Sequence, residues 1–417
     1  MDSFLVNGGN NLSGTIPING SKNASLPIIT ATLINPGKYK LNNMPKLKDT
    51  ETMAKLLTMI GARVKFSNNT MDIDTTDCDK PEAPYELVKT MRASFYVLGP
   101  LVGRFGYAKV SLPGGCAWGP RPVDYHLKGL EKLGANIDLS KGDIIASGSL
   151  TGATVVFERS SVGATGNLLM AAVKAKGETK LINASMEPEI VSLGRFLLAM
   201  GADISGLGTT EIVIRETELN NNNIEFDIIP DRIEAGTFLI SSLMTKSDIT
   251  ITKSNNNDME IVIDKLIDAG AVIKSTNNSI SISYNGVINP VNITTAEHPG
   301  FPTDLQAQWI ALMSIARGNS IIKDEIYNDR FTHIAELKRF GANISLNQNI
   351  ANVRGVDYLQ AAPVMSTDIR ASASLIIAAL AARGKSFISR IYHIDRGYEN
   401  IEARLKLLGA DITRISE

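Results

Sequence analysis

Ile60-Gly61-Ala62-Arg63-Val64 reads as the end of one element and the start of the next, and the chain repeats it five more times. The copies are Leu133-Gly134-Ala135-Asn136-Ile137, Met200-Gly201-Ala202-Asp203-Ile204, Ala269-Gly270-Ala271-Val272-Ile273, Phe340-Gly341-Ala342-Asn343-Ile344 and Leu408-Gly409-Ala410-Asp411-Ile412. Their glycines recur about every 70 residues, too long a period for most solenoids and right for a small folded unit. In each copy an amphipathic helix runs into Gly, which suits the left-handed C-cap position. A strand follows at once, as in Asn343-Ile344-Ser345-Leu346.

A second set of landmarks keeps the same beat. Helices are expected to start near Asn23-Ala24-Ser25, Arg92-Ala93-Ser94, Ala164-Thr165-Gly166-Asn167, Glu234-Ala235-Gly236, Thr303-Asp304-Leu305 and Arg370-Ala371-Ser372. Five of these six lead to a Gly, at Gly37, Gly106, Gly177, Gly318 and Gly384, and then to an aliphatic strand such as Ser320-Ile321-Ile322. Each unit is thus a local α/β module with two helices. A chain of 417 residues divides naturally into two domains, which gives three units to each. The boundary is expected near Asn220-Asn221-Asn222-Asn223 and Ile229-Pro230-Asp231. The second set places small or polar residues with Arg or Asp at helix N-termini, where free N–H groups and the dipole favour anions. An anionic substrate in an interdomain cleft is the inference.

Composition narrows the classes. With 44% hydrophobic and 20% charged residues the chain is a soluble globular protein. Its 42 basic and 43 acidic residues argue against nucleic acid, which needs a basic face. Met1-Asp2-Ser3-Phe4 lacks the features of a signal peptide, and no apolar stretch suffices to span a bilayer. Two cysteines, Cys78 and Cys116, do not make a disulfide framework, so a reducing, cytoplasmic setting is expected. No P-loop, dinucleotide fingerprint or clustered Cys/His spacing occurs, so neither a cofactor nor a metal is expected. His298, His333 and His393 are isolated and read as ordinary histidines, and Cys78 lies between two aspartates that disfavour its thiolate.

The segment Leu112-Pro113-Gly114-Gly115-Cys116-Ala117-Trp118-Gly119-Pro120-Arg121-Pro122-Val123-Asp124 is too rich in Gly and Pro for helix or strand, and reads as a loop. A thiol between Gly-Gly and an Arg suits a reactive cysteine; a structural Cys beside Trp118 fits equally well. His126 offers a partner for the thiol, but no third, orienting residue stands out. Cations stand at repeated loop or helix-start positions, Lys22, Arg92, Arg121, Arg330, Arg370 and Arg396, where a guanidinium grips phosphate or carboxylate. Asp368 and Asp395 are the neighbouring carboxylates able to orient Arg370 and Arg396. Asp304, in Gly300-Phe301-Pro302-Thr303-Asp304-Leu305-Gln306, is either an N-cap or a general base.

Taken together, Gly20-Ser21-Lys22-Asn23-Ala24, the Cys116 loop with Arg121-Pro122-Val123-Asp124, Ser161-Val162-Gly163-Ala164-Thr165, Pro302-Thr303-Asp304, Arg370-Ala371-Ser372 and Asp395-Arg396-Gly397-Tyr398 resemble the enolpyruvyl transferases, specifically those acting on UDP-N-acetylglucosamine. The resemblance covers essentially the whole chain. It implies two inside-out α/β domains, each of three βαβαββ repeats, with the active site in the interdomain cleft. One domain would be residues 22–229, the other 1–21 plus 230–417. It implies phosphoenolpyruvate and UDP-N-acetylglucosamine as substrates, no cofactor, and no obligatory protein partner. By the same resemblance Lys22, Arg121 and Arg396 hold phosphate, Arg330 and Arg370 serve the phosphoenolpyruvate side, and Asp304 is the base for the sugar 3′-hydroxyl. Cys116 matches a mobile-loop Cys linked to proton delivery and alkylated by fosfomycin, and Asp368 orients or relays protons. Asn23, Arg92, Arg121, Pro122, Val123, Asp124, Tyr125, Ser161, Val162, Gly163, Thr303 and Ile326 match substrate contacts. Tyr125 stands where the family commonly has Leu, which puts the shape of the uracil pocket in doubt.

Two other readings are set against this one, and Cys116 with Arg121-Pro122-Val123-Asp124 decides against the first. 5-Enolpyruvylshikimate 3-phosphate synthase shares the sixfold repeat and basic residues but lacks the Cys loop. A non-catalytic nucleotide-sugar sensor would be expected to have lost Cys116, Asp304 or a phosphate cation, and this chain keeps all of them.

Overall fold

The six glycines that set the repeat all adopt the left-handed conformation: Gly61 at φ 111°, Gly134 at 91°, Gly201 at 102°, Gly270 at 99°, Gly341 at 88° and Gly409 at 94°. They follow helices Lys48–Ile60, Asp124–Lys132, Pro188–Ala199, Glu260–Asp268, His333–Arg339 and Ile401–Leu407, and each is followed by a strand. An L side chain is strained at such φ, so glycine ends these helices at least cost. In the second set Gly106, Gly177, Gly318 and Gly384 also have positive φ, and in the fourth repeat Lys246 takes the equivalent turn at φ 55°. Gly37 is needed for a different reason: a Cβ there would stand 2.3 Å from the Asn222 carbonyl oxygen.

The computed structural model describes residues 2–88, 91–112 and 123–416, with Arg92 described by its backbone alone. The third repeat shows the module whole: strand Thr154–Val156, helix Val162–Ala172, strand Glu178–Ile182, helix Pro188–Ala199, then strands Asp203–Ser205 and Glu211–Arg215. Among the described residues there are six such four-stranded sheets, each with one parallel pairing and two antiparallel ones.

The fold is inside-out because of where the apolar residues lie. Helices Lys22–Ala31, Val162–Ala172, Arg232–Met244, Gln306–Met313 and Ile369–Ala381 are apolar or small nearly all round, and a helix of that kind is stable only when surrounded. Every residue of Gln306–Met313 is buried. In the unit holding 230–417, helices Arg232–Met244, Gln306–Met313 and Ile369–Ala381 pack on one another. The strands alternate instead, as in Asp248–Thr252 and Lys385–Ser389, presenting one face to the core and the other to solvent.

Three strands come from distant parts of the chain. Ser3–Asn7 lies between Lys385–Ser389 and Asp411–Ile415, with Phe4 opposite both Ile388 and Arg414. Ser13–Pro17 runs parallel to Asp248–Thr252, and Asn223–Asp227 parallel to Lys38–Asn42. The chain accordingly forms two compact units, Gly20–Ile229 and Met1–Asn19 with Pro230–Glu417. Gly20 and Ser21 belong to the former, where the Ser21 N–H donates to the Ile229 carbonyl (2.7 Å) and its hydroxyl caps helix Lys22–Ala31. In the other unit the Asp231 N–H donates to the Asn19 carbonyl (2.8 Å). No helix among the described residues is long and apolar enough to cross a membrane.

Candidate functional site

In the unit formed by 1–19 and 230–417, the expected residues converge on Asp304. It lies in a single 3-10 turn, Thr303–Leu305, that feeds helix Gln306–Met313. Arg330 donates from Nη1 to Asp304 Oδ1 (2.8 Å), and Arg370 donates from Nη2 to Oδ2 (2.6 Å). Arg370 is 3% exposed. Burial is the largest single influence on both guanidiniums and pulls their pKa down. The charge and hydrogen bond of Asp304, together with the further acids nearby (Asp368 for Arg330, Tyr398 and Asp231 for Arg370), outweigh it, and both are raised. Arg370 also stands 5.6 Å from the centre of the Tyr398 ring. The Tyr398 hydroxyl lies 2.8 Å from Thr237 Oγ1.

The Asp368 carboxylate caps helix Ile369–Ala381, accepting the N–H groups of Arg370 (2.8 Å) and Ala371 (3.1 Å). It therefore fixes the backbone of Arg370, while the guanidinium is held by Asp304, 66 positions away. Arg396 ends the 3-10 helix Ile391–Arg396. Its neighbour Asp395, expected to orient it, forms a two-point ion pair with Arg414 (2.6 and 3.1 Å), which Glu402 also holds (2.7 Å). His333 is buried, and burial pushes its pKa down to about 4 against the pull of Asp368. It is neutral at physiological pH.

In the 20–229 unit, Lys22 opens helix Lys22–Ala31 and its Nζ lies 3.8 Å from Asp49, a carboxylate only 4% exposed. Asn23 follows it on the same turn. Ser161 caps helix Val162–Ala172 by accepting the Ala164 N–H (3.3 Å), so Val162 and Gly163 stand at the helix mouth. A Cβ on Gly163 would meet His126 Nε2 at 3.2 Å, so glycine permits the close approach of that imidazole. Asp124 and Tyr125 open helix Asp124–Lys132, just after Val123, and the Tyr125 ring meets Phe157 edge-on (6.3 Å, 76°).

Asn167, which sequence reasoning missed, ties these pieces together. Its Oδ1 accepts the Gly99 N–H (2.6 Å), and its Nδ2 reaches the Phe95 carbonyl and His126 Nδ1, both at 3.0 Å. With both amide hydrogens engaged in this way, His126 Nδ1 is an acceptor and the imidazole proton sits on Nε2. His126 does have an orienting residue, but one that leaves its outward nitrogen protonated, which disfavours it as a base for a thiol. Cys116, Arg121 and Pro122 lie outside the described residues, as does the side chain of Arg92. Cys78 is buried, which raises its thiol pKa, consistent with an inert cysteine.

Asp49, Asn167 and Asp324 carry no local mark. Asp49 reads as an acid in the first turn of a helix, Asn167 as one polar residue in an apolar helix, and Asp324 as the end of an aliphatic strand.

The chain matches the family model described as EPSP synthase (3-phosphoshikimate 1-carboxyvinyltransferase) over residues 6–405. It is 51% identical to the UDP-N-acetylglucosamine 1-carboxyvinyltransferase of Chlorobium chlorochromatii, over 99% of each chain. It is 49% identical to the protein of the same name from Geotalea daltonii, over 100% of each. Among solved structures it resembles the enolpyruvyl transferase NikO from Streptomyces tendae, with TM-score 0.90 and 23% identity over 100% of this chain and 99% of that one. An EPSP synthase from Acinetobacter baumannii superposes with TM-score 0.75 at 18% identity over the full length of both, a likeness of fold alone.

Proposed function

The chain belongs to the enolpyruvyl transferase family, and from that membership we propose that it transfers the enolpyruvyl group of phosphoenolpyruvate to the 3′-hydroxyl of UDP-N-acetylglucosamine, releasing phosphate. The observation that carries the chemistry is Asp304, bonded by Arg330 on one oxygen and Arg370 on the other. A carboxylate has lone pairs beyond the two used here, so it can also accept a substrate hydroxyl.

In this reading Asp304 takes the proton of the 3′-hydroxyl, whose oxygen bonds to C2 of phosphoenolpyruvate as C3 gains a proton. Cys116 is the residue linked to that proton's delivery. The tetrahedral adduct then loses a proton from C3, breaks its C2–O bond to phosphate, and regains the double bond. Lys22, Arg121 and Arg396 hold the phosphate, while Arg330 and Arg370 hold the carboxylate side. Preorganised cations suit a donor that is already highly anionic, because they stabilise charge where it develops without reorganising. Asp368 supports this by fixing the Arg370 backbone. Asn23, Arg92, Val123, Asp124, Tyr125, Ser161, Val162, Gly163 and Ile326, with Arg121 and Pro122, serve as contacts to the nucleotide sugar, while Thr303 serves the substrate site beside Arg330. The helix mouth at Ser161–Gly163 offers N–H groups to its diphosphate.

The relatives' shared name favours the nucleotide sugar over shikimate 3-phosphate as acceptor. The reaction would be the first committed step of peptidoglycan synthesis, in the cytoplasm. Mass spectrometry of the nucleotide sugar after incubation with phosphoenolpyruvate tests it: a gain of one enolpyruvyl group supports the reading, and unchanged UDP-N-acetylglucosamine beside active controls rejects it.

A further inference from the structure

Asp324 is a carboxylate with no solvent exposure at the end of strand Asn319–Asp324. Its Oδ1 accepts the Thr295 hydroxyl (2.7 Å) and the N–H groups of Ile326 (3.0 Å) and Tyr327 (2.9 Å). Its Oδ2 accepts the Thr303 hydroxyl (2.7 Å). These donors are hydroxyls and amides, none a cation. Burying a charge without a counter-ion is costly, and only a full set of hydrogen bonds offsets it. A neutral side chain would fill the same space more cheaply, so the carboxylate's presence asks for a reason.

That reason is direction. An ionised carboxylate only accepts, so the Thr303 hydroxyl must donate inward to Asp324 and turn its lone pairs outward. Arg330 Nη1 donates to that outward oxygen (3.2 Å) as well as to Asp304 Oδ1 (2.8 Å). Among the described residues these are the hydrogen bonds that the Arg330 side chain makes, and both run through Nη1. The remaining donors of the planar fork are left for an anionic ligand. The Arg330 guanidinium also lies 5.6 Å from the centre of the Tyr327 ring, whose backbone N–H is one of the groups Asp324 holds.

We propose that Asp324 is a positioning residue that acts through Thr303. It polarises and orients the Thr303 hydroxyl so that Arg330 is locked against Asp304 with its free edge toward the donor substrate. An amide at position 324 would break the relay, because its N–H would donate to Thr303. The threonine proton would then lose its acceptor, or the side chain would turn and present its methyl to Arg330. The relay's effect on turnover rests on the enolpyruvyl-transfer reading; its effect on the Arg330 side chain does not.

Two measurements on the full-length protein separate these. Side-chain 15N NMR of the Arg330 guanidinium reads the relay directly, without substrate. Slow rotation and a distinct Nη1 signal are expected in the wild type and lost in Thr303→Val, with Thr303→Ser recovering most of the loss. Thr303→Val leaves the other three donors of Asp324 in place, so it remains informative if Asp324→Asn does not fold. In steady-state assays Thr303→Val and Asp324→Asn are expected to raise KM for phosphoenolpyruvate about tenfold, the scale of one lost charged hydrogen bond. KM for the nucleotide sugar should change much less. An unchanged Arg330 spectrum in Thr303→Val overturns the relay. An altered spectrum in a protein that never releases phosphate leaves the relay standing and sinks the reaction.

Discussion

Asp304 holds together two guanidiniums that would otherwise repel, and it is the group assigned to deprotonate the acceptor. Asp304→Asn keeps the shape but removes both the charge and the base. Phosphate release should fall at least about 10²-fold, the usual worth of a positioned general base. If Asp304→Asn turned over within a few-fold of wild type, another residue would have to be the base. Cys116 gives an independent handle on the loop. Cys116→Asp is expected to keep turnover while escaping covalent inactivation by fosfomycin, and a fosfomycin mass adduct on that variant would move the nucleophile elsewhere. At this scale the sequence shows reacting residues better than the residues behind them. Asp304 and Arg370 stand at helix starts and Arg330 in the turn that precedes helix His333–Arg339, where function is exposed to inspection. Asp324 meets Thr303 and Thr295 only after the chain has folded back over 20 to 30 positions, and no local pattern announces that.

Helix ends carry the next level. The six left-handed glycines were readable because a C-cap is a local requirement. Asn167 was not, because its partners lie 41 to 72 positions away. It braces the 3-10 turn Arg92–Val97, helix Leu98–Phe105 and helix Asp124–Lys132 from one buried amide. Asn167→Leu should cost on the order of 3 kcal/mol in urea unfolding, since it strands several buried polar groups. It should also raise KM for the nucleotide sugar with little change for phosphoenolpyruvate. A variant as stable as wild type would contradict the brace. Glu234, one turn into helix Arg232–Met244, accepts the Asn19 N–H (2.8 Å) and pairs with Arg404 (2.5 Å). Burial nevertheless pushes its pKa from an ordinary 4.5 up to about 7. The folded state therefore holds this proton more tightly than the unfolded one. The stability it confers is full below about 4.5 and is lost as pH rises through about 7, by up to about 3 kcal/mol. Urea midpoints of wild type and Glu234→Gln across that range should converge or cross as pH rises; parallel curves would place the carboxyl's pKa at its ordinary value.

At the scale of the molecule, the sixfold repeat was legible and gave the α/β architecture. The exchange of strands was not readable from the repeat, only from the family resemblance, since Ser3–Asn7 and Ser13–Pro17 look like any short strands. Ser3–Asn7 is an inner strand with neighbours on both sides, and Phe4 and Val6 are fully buried. Removing residues 1–8 would split that sheet and expose two edges. Hydrogen exchange should then show lost protection in helix Ile369–Ala381 while helix Val162–Ala172, in the other unit, keeps its own. Equal loss in both helices would mean that the units do not hold separate cores.

The most direct test of the whole account is phosphate release from phosphoenolpyruvate with UDP-N-acetylglucosamine and shikimate 3-phosphate supplied side by side. The account predicts release with the nucleotide sugar alone, abolished by fosfomycin. Release with shikimate 3-phosphate alone would contradict the acceptor and leave the fold standing, and release with neither would contradict the assignment as an enzyme.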